Sequence, residues 1–335
     1  MMRSFGMLAD GRGVEAITLG EPDGLQVEVL TYGATLRRLT YPVNGVRRDL
    51  ILFFDDLDSY VRDRAYVGSL VGRFGNRIAG ARFTLDGRTH TLSANEGANH
   101  LHGGHLGFGK RVWRVTSPVE HGTRVVLGLT SPDGEEGYPG EVEATVELDV
   151  RPDRLSIVLG ARSSAPTPVN LTYHPYFNLG GAHAPAVGQH LRIPASRYLP
   201  VKPGLIPTGE YSPVAESTFD FRAARRLEPP SIDSHPQLGL AGGYDHCWVL
   251  DEDADCACEL SCRDLVLTIR GSGPGLQFYN GQFLSRTHPA IGSGVILEPQ
   301  GLPDAPNQPS FPSSILRPGE TYRATIDYEL RAVQP

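Results

Sequence analysis

The chain has 335 residues, of which 40% are hydrophobic and 21% are charged, and its formal net charge is -7. This is the composition of a globular protein, and the acidic balance argues against a nucleic-acid partner, which needs a concentrated basic surface. The sequence contains neither a run of about 18 apolar residues nor an apolar leader near its start, so we expect no membrane span and no signal peptide.

Alternation of apolar and polar residues predicts β-strands along most of the chain. It is clearest in 25–43, 141–150, 153–164, 264–271 and 321–330. Turn pairs such as Asn44-Gly45 and Asp133-Gly134 lie between these segments. Only 59–63 and 219–227 are predicted as short helices. With no strand–helix alternation and no repeat, we expect one antiparallel all-β domain over 1–335, built as a large β-sandwich.

Three of the four cysteines lie close together, at Cys256, Cys258 and Cys262, and share parity with Leu260. On a strand, all four of these side chains face one side of the sheet. Their spacing matches no standard zinc pattern, so a buried core face is favoured over a zinc cluster. Free cysteines indicate a reducing compartment, and we expect the cytoplasm.

Polar side chains occur beside turn residues in four segments that are far apart in sequence. They are 71–87 with Asn76 and Arg77, 95–115 with His100, His102 and His105, 168–181 with His174, and 294–309 with Glu298. Taken singly, each has a structural explanation, such as a salt-bridged arginine, a core histidine or an exposed glutamate. The three histidines could also form a metal site. The loop SPDGEEGYPG (131–140) is interpreted as a structural hairpin turn rather than an acidic binding loop.

Considered together, seven segments resemble the aldose 1-epimerase, or galactose mutarotase, family in their order and approximate spacing. They are GRFGNRIAGARFTLDG (72–87), LHGG (101–104) preceded by Asn95, SPDGEEGYPGEVEATVEL (131–148), NLTYHPYFNLGG (170–181), GGYDHCWVL (242–250), GLQFYNGQF (275–283) and LEPQGLPDAPNQP (297–309). The resemblance spans nearly the whole chain. It implies a galactose mutarotase-like supersandwich with few short helices.

The resemblance also implies an activity, the interconversion of the α and β anomers of a free aldose. It implies that His174 is the general acid and Glu298 the general base. The residues implied to bind the sugar are Asn76, Arg77, His102, Asp245 and Gln277. We expect no cofactor and no metal, a small-molecule aldose as the partner, and a monomer or homodimer.

An imidazole and a carboxylate suit this chemistry. A base removes the proton from the anomeric hydroxyl O1, an acid protonates the ring oxygen O5, and the C1–O5 bond opens. Ring closure on the other carbonyl face reverses both proton transfers, so the pair resets itself. The aromatic residues that could contact the sugar are Tyr173, Tyr176, Phe177, Phe278 and Tyr279. Core packing explains each of them singly.

Two departures from the family pattern leave the preferred aldose open. Tyr173 and Pro175 flank His174, and Cys247 follows the Asp245-His246 pair. Two other functions remain open. A hexose-6-phosphate 1-epimerase would need an arginine cluster for the phosphate, to which Arg73 and Arg77 could contribute. A non-catalytic sugar-binding module should lack the acid or the base.

Overall fold

Strands are the predominant regular structure in the computed structural model, which describes residues 1–117, 119, 121–182, 184–186, 188–229, 234–284, 288 and 291–333. In the first half they are β1 (Met2–Met7), β2 (Gly13–Leu19), β3 (Gln26–Leu30), β4 (Leu36–Val43), β5 (Val46–Asp49), β6 (Leu70–Val71), β7 (Arg77–Ile78), β8 (Arg82–Leu85), β9 (Arg88–Thr91), β10 (His100–Leu101), β11 (Arg114–Val115), β12 (Arg124–Ser131), β13 (Val142–Arg151), β14 (Arg154–Ser163), β15 (Thr167–Pro168), β16 (Thr172–Tyr173) and β17 (Tyr176–Phe177).

In the second half the strands are β18 (His190–Arg192), β19 (Arg197–Leu199), β20 (Val201–Lys202), β21 (Ile206–Pro207), β22 (Ser212–Pro213), β23 (Arg225–Arg226), β24 (Asp245–Val249), β25 (Cys258–Cys262), β26 (Leu265–Gly271), β27 (Gly275–Tyr279), β28 (Val295–Gln300), β29 (Ile315–Leu316) and β30 (Tyr322–Ala332). The α-helices of the described residues are α1 (Leu57–Arg62) and α2 (Pro236–Ala241). Single 3-10 turns occur at Ala79–Ala81, Phe108–Lys110, Glu135–Gly137 and Ala305–Asn307.

Three antiparallel sheets contain the longer strands. A nine-stranded sheet has the order β11-β12-β13-β14-β30-β26-β25-β18-β23. A six-stranded sheet has the order β17-β28-β27-β24-β19-β22, and β1 to β5 form a five-stranded meander. The prediction of a large antiparallel all-β sandwich with few short helices is therefore confirmed.

The main core lies between the sheets, and the alternating strands explain why. Along β13, Val142, Ala144, Val146 and Leu148 are buried, whereas the polar residues between them are exposed or half-buried. One face of this strand therefore packs inward and the other meets water. The same apolar cluster includes Trp248 of β24, so it joins the nine-stranded and six-stranded sheets.

Strand β28 is covered on both faces. It lies between β17 and β27, and all six of its residues are buried. Val295 and Leu297 belong to the main core, whereas Ile296 packs in a separate apolar cluster. Because successive side chains of a strand point to opposite faces, Glu298 projects on the same side as Ile296, away from the main core.

The two helix predictions have different outcomes. Helix α1 (Leu57–Arg62) confirms the first, and the Asp56 side chain caps it by accepting a hydrogen bond from the Ser59 N–H at 2.8 Å. The prediction over 219–227 is wrong, because this segment is loop followed by β23. Phe219 and Phe221, two residues apart, are both buried in the main core, which an extended segment permits and a helix does not.

Helix α2 is not predicted by the sequence pattern, although it carries ordinary end signals. His235 caps its start, Pro236 occupies the first turn, and Gly242 ends it with a left-handed φ of 66°. None of the described helices is long and apolar enough to cross a membrane.

The interpretation of the cysteine-rich strand is confirmed. Cys258 and Leu260 are fully buried on one face of β25, and Cys256 just before the strand is buried as well. Cys262 is half-buried against the same core. All four cysteines are free thiols.

The loop over 131–140 is structural, as predicted. It joins β12 to β13, and Asp133 accepts a hydrogen bond from the Gly140 N–H at 2.6 Å. The Glu136 carboxylate accepts hydrogen bonds from the backbone N–H groups of His105 and Leu106 at 3.1 and 2.8 Å. The loop therefore supports the glycine-rich segment that contains His102.

Candidate active site

All seven residues to which the sequence assigned a role line one cavity of about 260 Å³ over the six-stranded sheet. The complete lining is Arg64, Ala65, Tyr66, Asn76, Arg77, Glu96, Leu101, His102, His174, Tyr176, Leu205, Asp245, Gln277, Tyr279, Phe283, Leu284 and Glu298. These residues come from segments as far apart in the chain as Arg64 and Glu298. The fold therefore assembles the predicted set in one place.

Adjacent strands form the floor of the cavity. Gln277 of β27 lies directly opposite Glu298 of β28 in their antiparallel pair. Asp245 starts β24, and its carboxylate accepts a hydrogen bond from Gln277 Nε2 at 2.6 Å. Three polar side chains are thus held on one rigid surface, as a precise binding site requires.

His174 lies beside Glu298. It occupies the bend between β16 and β17, two residues before Tyr176, and Tyr176 pairs with Ile296, two residues before Glu298. Both side chains are buried, and His174 Nδ1, Glu298 Oε1 and Gln277 Oε1 have no hydrogen-bond partner in the described part of the chain. An unsatisfied buried polar atom costs about 1–3 kcal/mol, so the cavity is built for a polar ligand.

Burial shifts the pKa values of His174 and Glu298 in opposite directions. It lowers the pKa of His174 to about 4. It raises the pKa of Glu298 well above the usual carboxyl range, with a further contribution from Asp245, and Arg77 offsets this only in part. Burial therefore favours the uncharged forms of both side chains, a neutral imidazole and a carboxylic acid. This pair carries one titratable proton, as does an imidazolium with a carboxylate.

The short strands β7 and β10 form one wall. The His102 N–H donates to the Asn76 carbonyl at 3.1 Å, and the Asn76 N–H donates to His102 Nδ1 at 3.1 Å. Since Nδ1 accepts, the ring proton of neutral His102 lies on Nε2. Burial, with His174 and Arg77 nearby, holds the pKa of His102 well below its usual value, so the ring stays neutral.

The glycine after His102 is required by a close backbone approach. Gly103 has a φ of 85°, and a Cβ atom there would overlap the Gly72 carbonyl oxygen. His102 itself has a φ of 50°. The glycine of the Leu-His-Gly-Gly motif therefore meets a backbone requirement: it allows the turn that directs the His102 side chain into the cavity.

Arg77 carries the positive charge of the wall. Its Nε and Nη2 each donate to Glu96 at 2.7 Å, and Nη2 lies 3.5 Å from an Asp245 oxygen. Burial alone would lower the pKa of Arg77, but the Asp245 and Glu96 carboxylates outweigh it and raise the pKa. Burial also raises the pKa of Asp245, despite Arg77.

Aromatic rings surround His174, but only two of the five aromatic residues named from the sequence line the cavity. Tyr176 and Tyr279 line the cavity with ring centroids 6.3 Å apart. Tyr173, Phe177 and Phe278 lie in the main core instead. The Tyr173 hydroxyl donates to the Ala34 carbonyl at 2.8 Å, so this departure from the family points away from the cavity.

Tyr66 and Glu96 are among the lining residues that the sequence does not single out. Tyr66 adopts a left-handed φ of 57°, and its ring lies 4.6 Å from that of His102 and 5.8 Å from that of His174, between centroids. Glu96 belongs to the glycine-rich segment in which only the histidines stand out. The sequence did hold one signal for Glu96: it is a carboxylate shortly before β10, the strand that pairs with the Arg77 strand β7. Nothing local marks Tyr66.

The geometry excludes a metal site formed by His100, His102 and His105. His100 is bound to the Ser93 carbonyl and the Tyr138 hydroxyl, each at 2.7 Å, and His105 is exposed, so neither joins His102. Among the described residues, no group of three or more histidine, cysteine or carboxylate side chains could hold a metal.

Arg73 and Cys247 also lie outside the cavity. Arg73 is buried and donates to the Gly140 carbonyl at 2.8 Å and to Ser131 Oγ at 2.6 Å, so it cannot join Arg77 in a phosphate cluster. Cys247 packs in an apolar cluster next to the site, opposite Gln277 in the sheet.

A larger and more open cleft of about 860 Å³ lies around the loop at 249–257. Two of its acidic residues already have partners, since Asp251 accepts from Ser196 Oγ at 2.7 Å and Asp255 pairs with Arg192 at 3.1 Å. It contains none of the seven predicted residues. The smaller cavity, with its unpartnered buried polar atoms, is therefore the candidate active site.

Comparison with known proteins identifies relatives along nearly the whole chain. Residues 15–329 match the family described as aldose 1-epimerase. The chain is 40% identical to the galactose mutarotase of Rattus norvegicus, over 96% of this chain and 95% of that protein. It is 37% identical to the aldose 1-epimerase of Escherichia coli (strain K12), over 96% and 97%.

Solved structures show the same fold. A galactose 1-epimerase from Lactobacillus acidophilus superposes with a TM-score of 0.85 at 30% identity, covering 100% of this chain and 99% of that one. An aldose epimerase homologue from C. elegans superposes with a TM-score of 0.86 at 29% identity, covering 95% and 99%.

Proposed function

The chain belongs to the aldose 1-epimerase family, and from that premise we propose that it interconverts the α and β anomers of a free aldose in this cavity, with His174 as the acid and Glu298 as the base. The observation that carries the proposal is the convergence of all seven residues on one cavity. The unpartnered atoms on His174, Glu298 and Gln277 support it.

The proposed reaction moves two protons. The Glu298 carboxylate takes the proton from O1–H while the His174 imidazolium gives a proton to O5, and the C1–O5 bond breaks as C1=O1 forms. Rotation about C1–C2 presents the other carbonyl face. O5–H then attacks C1 and returns its proton to His174, while O1 recovers the proton from Glu298. No electron leaves or enters, so the reaction needs no redox partner.

Sugar binding brings the pair into its reactive protonation state. A hydroxyl donor at Glu298 favours the carboxylate, and an ether oxygen that accepts from His174 favours the imidazolium. Arg77 acts in the same direction on Glu298, since its positive charge lowers the pKa of that carboxyl. Sugar binding thus favours transfer of the titratable proton of the pair from Glu298 to His174.

The remaining polar groups suit sugar hydroxyls, which both donate and accept. Asn76, Arg77 and the Nε2–H of His102 supply donors. Asp245 supplies acceptors, and Gln277 supplies an acceptor through Oε1. Tyr176 and Tyr279 supply apolar surface for the faces of the ring.

The alternatives have less support. The described cavity lining holds two arginines, Arg77 and the exposed Arg64, and Arg77 is already bound by Glu96 and Asp245. A phosphate would therefore meet no arginine cluster. A non-catalytic module is disfavoured because His174 and Glu298 both reach the cavity. We infer in addition a single domain over 1–335, acting as a monomer or homodimer in the cytoplasm, and the four free cysteines support a reducing compartment.

A panel of single anomers tests the proposal. The α anomers of galactose, glucose, xylose and arabinose, with glucose 6-phosphate, are followed by NMR with and without the protein. We expect acceleration with at least one free aldose. Acceleration of the phosphate ester alone would favour the phosphate-specific enzyme, and binding without acceleration would favour the non-catalytic module.

A further inference from the structure

Glu96 stands at the mouth of the cavity on a rigid support. Its backbone N–H donates to the Asn99 carbonyl at 3.1 Å, and the Asn99 N–H returns a bond to the Glu96 carbonyl at 2.9 Å. The preceding residue, Asn95, is held to Leu101 through two further bonds of 2.9 and 2.7 Å. The Glu96 side chain is 35% exposed, so its backbone is fixed while its carboxylate remains accessible.

The carboxylate binds Arg77 at two points. Nε and Nη2 each donate at 2.7 Å, which is the parallel two-bond geometry that fixes a guanidinium in a plane. The Arg77 side chain is only 8% exposed. Nη1 makes no hydrogen bond to any described residue, so it is left for a ligand.

Glu96 and Asp245 compete for the same cation. Arg77 Nη2 lies 3.5 Å from Asp245, a looser contact than the 2.7 Å bonds to Glu96. Asp245 in turn accepts from Gln277, the cross-strand neighbour of Glu298. Without Glu96, the guanidinium is free to bind Asp245 fully, which would remove acceptors from the sugar and move positive charge across the cavity floor.

We propose that Glu96 is a positioning residue for the mutarotation reaction: it holds Arg77 away from Asp245 and so sets both sugar binding and the charge that acts on Glu298. This inference rests on the proposed function. It predicts that the charge and the length of the residue-96 side chain have separable effects.

The test compares Glu96→Gln and Glu96→Asp with the wild type by polarimetry. Glu96→Gln removes the charge, so we expect KM to rise roughly ten-fold, as for losing a hydrogen bond between charged groups, with kcat changed less than about three-fold. Because Arg77 is then less neutralised, the pKa of Glu298 falls, and the alkaline limb of kcat/KM moves to lower pH. Glu96→Asp keeps the charge, so the alkaline limb of its kcat/KM profile stays at the wild-type pH. Its KM rises by a smaller factor than that of Glu96→Gln.

A surface pair provides the matched control. Asp86 binds Arg317 at two points, at 2.9 and 3.0 Å, far from the cavity lining, and Asp86→Asn breaks an equivalent pair. We expect this control to leave KM and the pH profile unchanged, and a shift equal to that of Glu96→Gln would overturn the inference. Unchanged KM and pH limb in Glu96→Gln would also overturn it, as would loss of kcat alone.

Failure of the two proposals can be told apart. A wild type that accelerates no aldose contradicts the proposed function. Galactose affinity, measured by titration calorimetry on wild type and Glu96→Gln, then tests the positioning role by itself. Weaker binding by the variant supports that role, and equal affinity overturns it.

Discussion

Replacement of Glu298 by glutamine isolates the proposed base. The side chain is 2% exposed and makes no salt bridge to any described residue, and glutamine has almost the same shape. The substitution therefore removes the ability to take a proton while preserving the packing. A positioned acid–base group contributes about 10² to 10⁴ in rate, so we expect kcat to fall by that factor.

The same variant should not lose stability. Burial raises the pKa of Glu298 above its unfolded value, so the folded state binds this proton more tightly. The associated stability is present below the unfolded pKa and is lost as pH rises through the folded pKa. Glutamine cannot ionise. Relative to wild type, the free energy of unfolding of Glu298→Gln should therefore increase between about pH 5 and about pH 9.

Polarimetry of fresh α-D-galactose measures the rate, and urea unfolding at both pH values measures the stability. Glu329→Gln is the matched control, because this exposed glutamate pairs with Arg270 at the surface, where such a pair contributes about 0–1 kcal/mol. It should leave the rate unchanged. A fall of less than about ten-fold in a folded Glu298→Gln protein would refute the assignment of the base.

Four other outcomes are expected. His174→Asn should lower kcat by about 10² to 10⁴, and a rate equal to wild type would reassign the acid. The profile of kcat/KM against pH should be bell-shaped. His174, whose pKa is lowered to about 4, sets its acid limb, and the raised pKa of Glu298 sets its alkaline limb. A flat profile would contradict a proton shared by the two residues. Gly103→Ala, which meets the Gly72 carbonyl, should cost about 1–3 kcal/mol of unfolding free energy in thermal melts, and more than Gly87→Ala, where φ is also positive (78°) but space is open. EDTA should leave the polarimetric rate unchanged, because the acid–base pair completes the cycle, and inactivation would revive a metal role.

The strands of the sandwich could be predicted because one of their faces is buried. Val142 to Val150 alternate in sequence for the same reason that they alternate in burial. The short strands around the walls of the site are different. β7, β10, β16 and β17 have two residues each, too short to show any period. Their residues were identified only through motifs spread across the chain.

Motifs identify a site without telling which of their residues contact the ligand. In the Pro-Asp-Ala-Pro-Asn segment, Asp304 is buried, accepts from the Ala79 N–H at 2.9 Å and donates its own N–H to the Arg77 carbonyl at 2.8 Å. It therefore supports the loop that carries Arg77. Local sequence does not separate this role from that of Glu298 in the same segment, because only the folded chain shows which carboxylate faces the cavity.

Long-range packing decided the remaining differences. The segment 219–227 as a whole suits a short helix, but the aromatic cluster around Trp248 holds Phe219 and Phe221 in an extended segment. Tyr66 reaches His174 only because the chain turns there with a positive φ. Asp63 helps to hold this turn by accepting hydrogen bonds from the backbone N–H groups of Ala65 and Val67. Neither arrangement has a signal within a few residues.

The most direct test of the central claim is magnetisation exchange between the anomers of galactose at equilibrium, recorded by NMR with wild-type protein and with a His174→Asn, Glu298→Gln double variant. The account predicts rapid exchange between the α and β signals with wild type and only the buffer rate with the double variant. Equal exchange with both proteins would contradict it.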